Sequence, residues 1–297
     1  MLILIGCMML FIGNIAIRCF AASYAIALAL ELLQVLLGRR SLRIVSLIFG
    51  AAGLLAHTLY VIVHTVFYRE LDVQPLSIAD PQGSLLLLAW ILAIFYIYGS
   101  AHYQRLAWGL FVLPIVLGLV ILGVFFPSAP ASGHEVDAIW VNILNLRGEK
   151  FWGMLHGCLL LLAAVGVCIG GIASIMYLVQ VRRLQAKLAP AQGMKMLSLE
   201  RIESMNRRAV LWAFPFLTVG LLVGVALGLH RGDFFQNWDL KTISGLGLWV
   251  VFFVLLYLRY SVHVRGRQVA WWTLFAFAIM VMAMVAPDHS YMSGDQP

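Results

Sequence analysis

Two histidines reach the same level of this chain from different apolar segments. His156 lies about one and a half turns inside its segment, in Trp152-Gly-Met-Leu-His156-Gly. His289 lies just past the end of the last segment, in Pro287-Asp-His289-Ser-Tyr291. Two imidazoles at one level are what a six-coordinate iron needs from its axial ligands. Two ordinary hydrogen-bonded histidines fit the same placement, and position alone does not choose between them. Between them runs His230-Arg-Gly-Asp-Phe234-Phe235-Gln-Asn-Trp238-Asp239-Leu-Lys241, followed by a segment bearing Trp249. Aromatic faces beside Arg231 and Lys241 suit a flat apolar macrocycle with anionic side groups. They equally suit the aromatic belt that collects at a membrane interface.

The segments that must position these residues are hydrophobic along most of their length. The composition is 63% hydrophobic and 11% charged, against roughly 45–50% and 25% in soluble domains. A bilayer demands helices of about 20 apolar residues, because every backbone N–H and C=O in hydrocarbon must be paired within its own segment. Alternating ten-residue stretches, the mark of a barrel, are not what the sequence shows. The expected fold is an all-α bundle of about eight transmembrane spans. They run Ile12–Leu37, Ile44–Tyr68, Ser84–Ser100, Leu106–Phe126, Phe151–Val181, Ala209–Leu229, Thr242–Tyr260 and Val269–Ala286. No segment is long enough for a separate soluble domain, so residues 1–297 read as one membrane domain, and no internal repeat strong enough to suggest an inverted-repeat transporter is legible. Met1 to Ile17 lacks a basic leader and a cleavage site and reads as an extension of the first span.

Placing the loop after the first span in the cytoplasm puts 14 of the 20 lysines and arginines inside, against five outside. The positive-inside rule then directs both termini outward, and the net charge of +7 needs no nucleic acid to explain it. Trp108 reads as a cytoplasmic-side anchor. Cys7, Cys19, Cys158 and Cys168 show no C-x-x-C spacing and read as small core hydrophobes.

Trp238-Asp239-x-Lys241 resembles the tryptophan-rich W-x-W-D-P-K-E signature of the cytochrome c assembly family, the CcsA-like and CcmC/CcmF-like haem-handling membrane proteins. Pro75-Leu76-Ser77 with Trp90 following, His156 opening a span that continues through Tyr177-Leu-Val-Gln180, and His289-Ser290-Tyr291 agree with that family in order and side. The likeness covers about Ala22 to Tyr291. It implies haem b as cofactor, His156 and His289 as axial ligands, and Trp238, Asp239 and Phe235 lining the haem. It also implies a bacterial-type cytoplasmic membrane and an apocytochrome c or an assembly subunit with an outer domain as partner. Phe234 and Phe235 stand at the upstream Trp positions, Leu240 at the Pro and Thr242 at the Glu, and Arg259 stands near the place of a late His. The fit is closer to the shorter HemX-like and YpjD-like branch than to a complete haem lyase.

His57 and His64 are seven residues apart and so share a helix face, while Glu31 sits inside the first span. Ionisable groups within a membrane mark function by default. A second, buried haem site formed by these residues, His57 and His64 among them, and a proton pair are both open, as is a neutral Glu31 bonded to a nearby His or Tyr. His102 and His263 read as solvated cytoplasmic-edge residues, and His134 as a loop residue. The expected function is haem handling at the outer face in c-type cytochrome biogenesis. Its rivals are a membrane regulator of haem biosynthesis docking a partner on Arg182 to Arg208, and a transporter using Glu31 and His57.

Overall fold

The computed structural model describes residues 17–38, 40–68, 71, 73–78, 80–102, 108–126, 149–186, 197–231, 240–260 and 266–285. Among them the chain forms eight helices and no strand. These are α1 Ile17–Leu37, α2 Arg40–Thr65, α3 Pro81–His102, α4 Gly109–Phe125, α5 Glu149–Gln185, α6 Leu199–Arg231, α7 Leu240–Tyr260 and α8 Gly266–Val285. Six of the eight are long and apolar enough to cross a bilayer, while Gly109–Phe125 and Thr242–Leu258 are shorter apolar stretches. Within the described residues, which exclude the expected start of the first span at Ile12, the expected spans and the helices agree to within a few residues, except at α6. That helix begins at Leu199 rather than Ala209, because part of the basic connector continues as helix and buries Ile202 and Asn206. At 37 residues α5 is roughly 55 Å long, well beyond a hydrocarbon core of about 30 Å. Gly38, at φ +68°, ends α1 in the left-handed conformation that a side chain disfavours, and its N–H closes on the Gln34 carbonyl at 2.8 Å.

The helices fall into two compact units. Unit 1 comprises Met1–Leu144 with Leu188–Met196, and unit 2 comprises Asn145–Lys187 with Leu197–Pro297. In unit 1, α1 packs on α2 and α4, and α3 packs on α4 and α2. Unit 2 repeats this scheme, with α5 on α6 and α8, and α7 on α8 and α6.

The repetition extends to individual positions. Buried Val112, Leu113, Val116, Leu119 and Gly123 of α4 match Val269, Ala270, Thr273, Ala276 and Met280 of α8 at one constant spacing. Ala89, Leu92, Ala93 and Tyr96 of α3 match Leu248, Val251, Phe252 and Leu255 of α7 in the same way. On α2, Ser46, Gly50, Gly53, His57 and Tyr60 match Asn206, Val210, Ala213, Leu217 and Gly220 of α6. On α1, Phe20, Tyr24, Ala27 and Glu31 match Ala163, Val167, Gly170 and Ser174 of α5.

Polar contacts follow the same register. The Ser46 hydroxyl donates to the Ala27 carbonyl at 3.0 Å and lies 3.4 Å from Glu31 Oε1. Its counterpart Asn206 donates to the Gly170 carbonyl at 3.1 Å and to Ser174 Oγ at 2.9 Å. Trp90 Nε1 donates to Thr58 Oγ1 at 2.9 Å, and Trp249 Nε1 donates to Thr218 Oγ1 at 3.0 Å. Each unit is thus one four-helix design. Residue identity shows little of the repeat because it is kept mainly as a pattern of burial and hydrogen bonding.

Three side chains correct the sequence reading. Trp108 is only 2% exposed, and a methyl group on Gly99 would collide with its indole, so it is a packed core residue of unit 1 and not an interfacial anchor. Among the cysteines Cys168 is buried, but Cys158 is half-buried and Cys19 faces outward on α1, because the buried face of that helix is set by Phe20, Tyr24, Ala27 and Glu31. Cys7 lies outside the described residues.

Asn206 joins three helices, since its amide also lies 3.4 Å from Thr273 Oγ1 of α8. Hydrogen bonds between membrane helices contribute about 0.6 kcal/mol on average and up to about 1.7. Asn206→Leu should therefore destabilise unit 2 by about 1–2 kcal/mol and lower the melting temperature in detergent by several degrees. An unchanged melting temperature would deny the amide this joining role. The orientation inferred from charge carries its own check: reporters fused at Gln74 and at Arg183 should report opposite sides of the membrane, and a shared side would exclude the eight-span topology.

Candidate functional site

His156 stands on the first turns of α5, half-buried against α6. Two glycines one helical turn apart, Gly220 and Gly224, admit it. A methyl group on Gly224 would lie 2.6 Å from His156 Cε1 and 3.0 Å from Nδ1. One on Gly220 would lie 2.9 Å from Leu160, a turn further along α5. Small residues at this spacing let two membrane helices approach closely. The close approach brings His156 Nδ1 within 2.7 Å of the Gly220 carbonyl oxygen.

A carbonyl oxygen can only accept, so Nδ1 is the protonated ring nitrogen. In neutral imidazole, Nε2 then holds the lone pair. A histidine held by Nδ1–H on a backbone carbonyl, with Nε2 unprotonated, is the arrangement that metal-ligating histidines adopt. The sequence does not disclose it, although the Gly-x-x-x-Gly spacing at Gly220 and Gly224 is a signal that two helices close up there.

The wall of unit 2 behind this histidine is tied by Trp249. Its indole packs 5.9 Å from Phe214 and 5.6 Å from Phe253 while its N–H bonds to Thr218. Trp249 is therefore a strut between α7 and α6. His289, Trp238, Asp239 and Phe235 lie outside the described residues, as do His134 and His263.

Unit 1 gathers the other ionisable groups along the seam of α1, α2 and α3. His57 is fully buried, stacked on Phe20 at 4.1 Å, with Nδ1 3.4 Å from the Tyr24 hydroxyl. Its Nε2 has no hydrogen-bond partner among the described residues. Towards the other end, Glu31 is 4% exposed and meets Ser46, whose hydroxyl is also 3.3 Å from the Tyr96 hydroxyl. Arg43 Nη2 donates to the Ser100 carbonyl at 2.6 Å beside this cluster. The rings of Tyr24 and Tyr96 lie against Gly53 and Gly50, between the two polar ends of α2. His57 and Glu31 are thus set apart by two aromatic bodies rather than joined.

His64 lies half-exposed near the C-terminal end of α2, with Nδ1 2.6 Å from the Gln74 carbonyl oxygen and its ring 4.1 Å from that of Tyr60. The loop is held in return by the Leu76 N–H, which donates to the His64 carbonyl at 2.8 Å. His102 is exposed at the end of α3, stacked on Tyr98.

The sequence profile of the cytochrome C assembly protein family matches residues 78–286, from just before α3 to the end of α8. The chain belongs to this family. Its matched stretch contains His156, Gly220 and Gly224, while Glu31, His57 and His64 precede it. Relatives named cytochrome c biogenesis protein CcsA also match the chain. The one from Guillardia theta is 22% identical over 264 residues, covering 82% of this chain and 84% of its own. That of Gloeobacter violaceus is 20% identical over 253 residues, 68% of this chain and 72% of its own. That of Mesostigma viride is 20% identical over 270 residues, 82% of this chain and 86% of its own. No solved structure matches.

Proposed function

We propose that this family member is a haem-handling membrane protein of cytochrome c biogenesis that binds haem b at the outer membrane face through His156 and His289. The observation that carries the reading is the His156 ring, whose Nδ1 is fixed on the Gly220 carbonyl at 2.7 Å above a glycine that leaves it room. In the neutral ring that geometry leaves Nε2 with the lone pair that a metal would need. Family membership and the CcsA relatives support the setting. When bound, haem supplies an iron with two axial positions and vinyl groups for the thiols of an apocytochrome.

The chain's own contribution is positional. His156 and His289 would hold the haem iron, and Phe235, Trp238 and Asp239 would line the group. An apocytochrome c or an assembly subunit with an outer domain is the partner, and the bacterial-type cytoplasmic membrane is the site of action. Holding reactants in register is the principal catalytic device available to such a site.

The test is the visible spectrum of the full chain purified in mild detergent. A Soret band that survives washing supports the reading, and a colourless protein that also fails to take up added haemin contradicts it. Trp238→Ala should weaken haem retention several-fold, whereas Trp212→Ala, 67% exposed on α6, should leave it unchanged. Equal losses would point away from a haem-lining Trp238.

A further inference from the structure

We infer that unit 1 carries a haem-iron ligand of its own, His64, the counterpart in the repeated four-helix design of the His156 site in unit 2. The inference rests on the haem reading of His156 given above. It starts from the register of α2 on α6, in which Ser46 matches Asn206, Thr58 matches Thr218 and Tyr60 matches Gly220. One helical turn further, His64 matches Gly224.

Gly224 is the residue whose absent Cβ opens the space filled by the His156 ring, at 2.6 Å from the position of that Cβ. A side chain growing from that backbone position would point into the volume where unit 2 keeps its imidazole. In unit 1 the matching position bears the imidazole itself. Each unit thus carries an imidazole at this register, from α5 across Gly224 of α6 in one and directly from α2 in the other.

The chemical presentation is also the same. His64 Nδ1 lies 2.6 Å from the Gln74 carbonyl oxygen, as His156 Nδ1 lies 2.7 Å from that of Gly220. Each carbonyl can only accept, so each Nδ1 carries a proton, and in the neutral ring each Nε2 holds the lone pair. Tyr60 lies beside the His64 ring at 4.1 Å and supplies an aromatic wall. His57, the other imidazole of α2, is less suited. It is sealed under Phe20 with no exposed surface, and its Tyr24 hydroxyl partner leaves the tautomer open.

The experiment titrates haemin into haem-depleted full-length protein in mild detergent and follows the Soret band. The unaltered chain should take up two haems. His64→Ala should take up one, with the low-spin spectrum of the His156 site. A His156→Ala and His289→Ala double variant should keep the His64 haem with its spectrum unchanged. His64→Gly should regain the second haem when imidazole is added, which a loss caused by misfolding would not do.

Two haems bound undiminished by His64→Ala would overturn the proposal, as would a loss that imidazole fails to restore. A single haem whose low-spin state is lost on changing either His64 or His156 would mean one shared iron and would overturn a separate site. A single haem abolished by His64→Ala and indifferent to His156 and His289 would support His64 as a ligand and sink the outer-face reading instead.

Discussion

Replacing His156 with alanine should convert a low-spin haem into a five-coordinate or weakly held one, and replacing His289 should do the same. Two imidazoles on one iron give a low-spin complex, and removing either vacates one axial position. Because both residues act on the same iron, the double variant should lose little more haem from that site than the worse single one. That non-additivity marks residues sharing a partner. Imidazole added to either single variant should refill the position and restore the low-spin bands. The check is the ferric visible spectrum of each variant at equal protein concentration. Fully additive losses, or no change in either single variant, would mean that the two histidines do not meet on one iron.

Gly224→Ala is expected to damage the same site without touching a ligand. The added methyl group would sit 2.6 Å from His156 Cε1, closer than packed carbons tolerate. Either the ring turns away, breaking its bond to the Gly220 carbonyl, or α5 and α6 separate. Overpacking of this kind costs about 1–3 kcal/mol, which corresponds to a loss of haem affinity of roughly tenfold or more if the strain falls on the ring. The spectrum separates the two outcomes. A displaced ring gives mixed spin states that added imidazole returns to low spin, whereas separated helices lower the melting temperature and leave the spin state of the remaining haem unchanged. Gly118→Ala, where an added methyl group would meet no atom within 4 Å, is the matched control and should alter neither quantity.

Much of the fold was legible because hydrophobic length is a direct demand of the bilayer. Each of the eight expected spans coincides with a helix, and the overlong run at Phe151 became the 37-residue α5. The start of α6 was missed because hydropathy registers Arg201, Arg207 and Arg208 and overlooks the buried stripe of Ile202 and Asn206 between them. Trp108 was misjudged for a related reason: a tryptophan near the end of an apolar run looks like an interfacial anchor, but Gly99 makes a slot for it in the core of unit 1. The two-unit repeat escaped notice because its matched positions seldom share a residue type: Tyr24 stands where unit 2 has Val167, and Glu31 where it has Ser174.

At the candidate site, residue type and depth were enough to single out His156. Its tautomer was beyond reach, since it depends on a carbonyl 64 positions away in sequence. The resemblance carried His289, Trp238, Asp239 and Phe235, which lie outside the described residues.

The central claim is that His156 Nε2 lies on haem iron, and pulsed electron paramagnetic resonance addresses that bond directly. Ferric His156→Gly protein supplied with ¹⁵N-labelled imidazole should show a ¹⁵N coupling on a restored low-spin centre, replacing the ¹⁴N signal of the native ring. A His156→Gly protein that keeps its original low-spin signal, and admits no labelled imidazole to the iron, would contradict the assignment.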